Sequence, residues 1–186
     1  MRHPQTRALH AYWQTRRQGG AAPLRADIEP QDISELLGYV FILWRADSQH
    51  HLFRLAGTHL CDLYKREFRD QNFLTLWRGH DRTHVQAVLE ASISGTSPAS
   101  MIARAVSMDQ RELPVEIAFF PLRGPSGEID RMLGLFQPLD STEDFRGRPV
   151  IRTALREIHP PAQPATIFPG LAQSDASLVQ RVANDQ

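Results

Sequence analysis

Residues 39–44 read Tyr-Val-Phe-Ile-Leu-Trp, an unbroken aromatic and β-branched run that soon meets the turn residues Asp47, Ser48 and Gln49. A run this short, rich in strand formers and bounded by a turn, fits a strand with both faces covered. The fold must therefore place a layer on each side of it. Residues 51–56 follow as a second strand, which makes a hairpin. Gly57 stops that strand, and Thr58 can cap a helix carrying Leu60, Leu63 and Tyr64. Phe73, Leu74, Leu76 and Trp77 read as a short helical turn. Val85, Val88 and Leu89 mark one face of a longer helix that starts near Asp81 and ends before Gly95.

Three further strands are predicted over 100–108, 115–122 and 132–139. Asp109-Gln110-Arg111 and Gly124-Pro125-Ser126-Gly127 supply the turns between them. Two strands, a group of helices and a three-strand meander imply an α+β fold: one five-stranded antiparallel sheet with helices on one face.

The two ends differ in texture. Leu9, Tyr12, Trp13 and Arg16 recur at helical spacing up to Gly19-Gly20, and Pro30 suits the first position of a second short helix bearing Ile33, Leu36 and Leu37. After Asp140, Pro149, Pro160, Pro161, Pro164 and Pro169 predict an irregular extension without long regular elements, and Leu178, Val179 and Val182 a terminal helix. The expected division is an N-terminal helix and connector over 1–27, a core domain over 28–140 and a C-terminal extension over 141–186.

Formal net charge is zero and the charges are interleaved, so no long-range field draws the chain to nucleic acid or an anionic membrane. Lys65 is the only lysine, a bias read as codon usage rather than phosphate binding. A single cysteine, Cys61, permits no internal disulfide. The residues Arg2, His3, Gln5, Thr6 and Arg7 lack the apolar core of a secretion signal, and no apolar run nears the ~18 residues that span a bilayer. A cytoplasmic protein is expected.

Motifs carry the argument further. Phe53-Arg54-Leu55-Ala56-Gly57-Thr58, then Leu60-Cys61-Asp62-Leu63 and Arg66-Glu67-Phe68, closely resemble a signature of the small single-domain PAS proteins of alphaproteobacteria. Phe73 through Leu76-Trp77 continues the likeness. So do Tyr12-Trp13, Pro23-Leu24-Arg25 and Asp27-Ile28-Glu29-Pro30 upstream, and Glu116 through Phe120-Pro121-Leu122 downstream. The resemblance spans roughly residues 8–140. One departure stands out: Tyr64-Lys65-Arg66 occupies a place where the family pattern has a glycine before the Arg-Glu pair. The resemblance implies a PAS-like fold and a non-catalytic sensory or regulatory role in motility, stress or cell-cycle circuits. It implies no shared ligand, and with no output domain visible the signal would pass in trans.

Each candidate site also has a plainer role. A PAS cavity would be lined by Trp44, Arg54, Leu55, His59, Leu60, Leu63, Phe73, Trp77, Val88, Phe119 and Leu135, residues that can equally fill a core. No cofactor is assigned, although an unknown small ligand or haem in that cavity is the alternative, with His59 as the haem candidate that the resemblance suggests. His80 and His84 share a metal-binding spacing but lack further ligands nearby, so no metal site is predicted. Cys61 reads as a small buried hydrophobe. Arg54 and Glu116 are charges within apolar strands, read first as locally paired, with an inward Arg54 anchoring an anion as the alternative. No catalytic residue is assigned. A small dehydratase or isomerase, with Arg54, His59 and Glu116 as its polar groups, is the third reading. Leu9, Tyr12 and Trp13 are the predicted dimer-interface residues, covering the other sheet face on their own chain or a partner's, and a homodimer is expected.

Overall fold

The computed structural model describes residues 1–17 and 22–162. α1 spans Pro4–Thr15, with proline at the position where a missing N–H costs nothing and His3 accepting a cap bond from Gln5. The hairpin follows as β1 (Val40–Asp47) and β2 (His50–Ala56). α2 (Thr58–Tyr64), a 3-10 turn at Phe73–Leu76 and α3 (Gly79–Ser94) form the helical group. β3 (Ala99–Ser107), β4 (Glu112–Arg123) and β5 (Ile129–Pro138) make the meander. The sheet is antiparallel in the order β2-β1-β5-β4-β3-β6, so β1 meets β5 across the crossover.

The sixth strand, β6 (Val150–His159), was not expected. It pairs with β3 along its length. Pro149 and Pro160 bracket these ten residues rather than interrupt them, so no ladder donor is lost. Polar bonds seat it from the inner side: the Tyr64 hydroxyl lies 2.5 Å from Thr153 Oγ1, and the Leu155 N–H donates to Asp81 at 2.9 Å. The extension is therefore regular in its first part. The expected terminal helix at 178–182 lies outside the described residues.

The sheet separates two apolar clusters. On the inner face, α2, α3 and the 3-10 turn pack Leu60, Leu63, Phe73, Trp77, Val85 and Leu89 against Phe41, Leu43, Ile117, Phe119 and Phe136. On the outer face, Leu9 and Trp13 of α1 and Ile33 and Leu36 of the connector cover Val40, Ile42, Phe120, Leu122, Leu133 and Leu135. β1 is thus apolar on both sides because it is the seam between two cores.

Candidate functional site

The inner core is filled by rings. Phe41, Phe53, Phe73 and Phe119 form one network, with centroids 5.4–6.2 Å apart. Gly134 lies directly across from Phe41 on β5, and a Cβ there would overlap the Phe41 ring. Trp77 is buried in this cluster, and its Nε1 has no hydrogen-bond partner among the described residues.

Of the predicted cavity residues, Leu60, Leu63, Phe73, Trp77, Val88 and Phe119 converge on this inner cluster. Trp44, Leu55 and Leu135 do not; they face the outer side. Leu135 pairs across the sheet with Val40 and Ala118, both in the outer cluster. Its neighbour Phe136 points inward instead. Parity within an unbroken apolar run is invisible in sequence, and a shift of one residue exchanges the faces. Leu55 is displaced by a β-bulge. Ile42 opposes Leu55 but Leu43 opposes Phe53, which leaves Arg54 as the extra residue and turns Leu55 outward. Leu55 is 43% exposed.

Arg54 is also outside. It pairs with Asp70 at 2.8 Å, both exposed, and its guanidinium lies 5.8 Å from the Trp44 ring centroid. Arg131 stands 5.6 Å from the same ring. The local-pairing reading of Arg54 holds, and the inward anion anchor does not. His59 is exposed and packs 4.6 Å from Tyr39, centroid to centroid, on the flank of α2 outside the ring cluster. It is not placed to hold a group in the inner core. Cys61 is half-buried rather than buried, and burial pushes its thiol pKa up.

Glu116 has a role that sequence reasoning missed. It is buried on the outer face of β4 and accepts the backbone N–H groups of Arg2 at 2.6 Å and His3 at 2.9 Å. Burial acts to raise its pKa, but the bonds from His3 and Arg2 hold the carboxyl below its usual range. The Trp13 indole donates to the Pro121 carbonyl at 2.9 Å, so α1 is tied to β4 near both ends. Leu9 and Trp13, the proposed interface residues, are fully buried on their own sheet; Tyr12 accepts the Glu29 N–H at 2.9 Å. Arg54 and Glu116 sit on strands separated by two others, and His59 lies on the opposite side of the sheet from Glu116. The three do not form an acid-base site.

A second, partly buried polar cluster also went unread. Arg45 on β1 grips Glu90 of α3 through two bonds of 2.8 and 2.7 Å, and His51 Nε2 lies 3.0 Å from the same carboxylate. It ties the hairpin to α3.

Lys65 ends α2 with φ 51°, in the left-handed region. Glycine adopts this conformation freely, whereas a side chain costs about 1 kcal/mol. This is the position where the sequence departed from the family pattern.

A family model described as the PAS domain matches residues 1–137. The chain belongs to the PAS domain family, a sensory and generally non-enzymatic class. Among solved structures it is similar to the Rhodobacter sphaeroides LOV protein, at 11% identity over 64% of this chain and 73% of that one, with a TM-score of 0.46. It is similar to the dark structure of the blue-light photoreceptor Aureochrome1 LOV, at 14% identity over 62% and 83%, TM-score 0.46. A substituted PAS-B domain of Drosophila melanogaster Cycle with bound glycerol matches at 8% identity over 54% and 99%, TM-score 0.44. No curated protein matches the chain. Among the described residues no helix is long and apolar enough to cross a membrane.

Proposed function

We propose that this protein is a cytoplasmic, non-catalytic regulatory module of the small single-domain alphaproteobacterial PAS type, and that it signals in trans through protein contacts as a homodimer. Residues 1–27 and 28–140 act as helix and sensory core, and 141–186 as an extension whose first part supplies β6. The observation that carries this reading is the incomplete cover of the outer sheet face. α1 lies over β4 and β5, while Trp44 and Leu55 toward the β2 edge remain accessible. A partly covered sheet face beside a docked helix is a surface on which a partner can bind, and a shift of the helix would change it. Light scattering on the wild type and Leu55→Arg tests it. A dimer that becomes monomeric in the variant, with unchanged melting, supports the reading. A wild-type monomer that captures no signalling protein from native extract overturns it.

The second reading is a small-molecule sensor with its ligand in the inner core; its haem form has lost the His59 ligand that the sequence suggested. Its support is the buried, unpartnered Trp77 Nε1, a donor that an interior ligand could satisfy. Mass analysis of small molecules released on denaturation tests it: a stoichiometric release favours this reading over the first.

A further inference from the structure

An open groove of about 370 Å³ runs between α2 and the 3-10 turn at Glu143–Phe145, within the size range of small-molecule sites. It lies outside the ring-filled core. Tyr39, Leu63 and Phe145 give it an apolar floor. His59 and Lys65 border it on the α2 side, and Arg146 on the other. Among the described residues Arg146 makes no ion pair, and the nearby Asp144 is engaged with Arg111 at 3.5 Å. Asp62 is the one carboxylate of the lining, 3.6 Å from Lys65 Nζ in an exposed pair that solvent screens.

Two details shape the groove. Gly38 lies against the His59 ring, and a Cβ there would overlap it, so the ring rests flat on backbone beside Tyr39. Lys65, the only lysine of the chain, occupies a left-handed turn that glycine would adopt without strain. The turn sets this ammonium at the border of the groove.

We propose that this groove binds a small organic anion, a carboxylate or phosphate carried on a flat apolar body. The body packs on Tyr39, Leu63 and Phe145. The anionic head lies between Lys65 and Arg146, whose planar fork suits two oxygens of one group. An incoming anion displaces Asp62 from Lys65 and leaves that carboxylate to water. The site is separate from the accessible patch at Trp44 and Leu55, neither of which lines it, although Tyr39 also touches the outer cluster.

The test is an amide-resolved NMR titration of the full chain with benzoate and phenyl phosphate, with benzyl alcohol and inorganic phosphate as controls. Saturable shifts at Tyr39, Leu63, Lys65 and Arg146 are expected with at least one aromatic anion, at an affinity tenfold or more above either control. Arg146→Gln and Lys65→Gly should each weaken binding about tenfold. Lys65→Gly relieves the strained turn, so it should melt no lower than wild type, which separates lost binding from lost fold. Four results overturn the proposal: no saturable shift with either aromatic anion, shifts centred elsewhere, equal binding of benzyl alcohol or inorganic phosphate, or unchanged affinity in both variants.

Discussion

The Glu116 carboxylate, buried on β4, lies 2.9 Å from the backbone nitrogen of His3, the residue that caps α1. One side chain in the sheet therefore holds the free N-terminal end of a helix that otherwise relies on Leu9 and Trp13. Helix ends carry unsatisfied N–H groups and a partial positive charge, so a carboxylate is the side chain that serves best there. Glu116→Gln keeps the shape and removes the charge. Since bonds to a charged group contribute about 1.5–3 kcal/mol, α1 amides should exchange with solvent roughly tenfold faster or more, while β3–β5 amides stay unchanged. Uniform acceleration across the sheet would argue against a latch specific to α1. The folded carboxyl is held below the ordinary value of 4.5, so its contribution is complete above that pH and fades as pH falls through the folded value.

Trp13 gives the matching prediction at the other end of α1. It is fully buried, and its Nε1 donates to Pro121. Trp13→Ala removes a large apolar surface and leaves the Pro121 carbonyl unpaired. A loss of about 3–5 kcal/mol is expected in denaturant unfolding, with α1 undocked from the sheet. A loss under about 1 kcal/mol would mean that the helix contributes little to the fold.

Gly134 tests how tightly the inner core is closed. Any side chain there meets the Phe41 ring, which is itself locked against Phe53, Phe73 and Phe119. Gly134→Ala should cost about 1–3 kcal/mol, because an overpacked core must shift several rings at once. A neutral result would show spare space beside Phe41, and would strengthen the interior-ligand reading.

These residues also show what a sequence can reveal. The stops at Gly57 and Gly95 and the five expected strands come from local chemistry, and all are observed, while the expected helix stop at Gly19-Gly20 lies outside the described residues. The faces of Leu55 and Leu135 were not legible. Leu55 depends on a bulge at Arg54, and Leu135 on parity within a run where every residue is apolar. β6 was obscured by prolines whose positions relative to its ends become meaningful only once the strand is known. Glu116 was conspicuous as a charge in an apolar strand, but its partners are backbone groups 113 and 114 residues away, which carry no side-chain signature. Arg146 and His59 meet across one groove for the same reason: the contact is made by the fold.

His51 supplies a pH prediction. It is 1% exposed, its Nε2 faces Glu90 at 3.0 Å, and its Nδ1 has no partner among the described residues. Burial lowers its pKa below 6.5 despite the attraction of Glu90, with Arg45 acting in the same direction as burial. Between that lowered value and 6.5 the unfolded chain binds more protons than the folded one. Stability is therefore complete above about pH 6.5 and falls as the solution is acidified, by at most about 1.4 kcal/mol per pH unit from this group. Glu90, held low first by its bond to Arg45, adds its own loss only below about 4.5. His10, also lowered by burial, contributes equally to wild type and variant. His51→Gln retains a donor toward Glu90 and cannot titrate. Urea unfolding at pH 7.5 and 5.2 should show the wild type losing more stability than the variant over that interval. Parallel losses would mean that the imidazole gains its proton as readily in the folded chain as in the unfolded one.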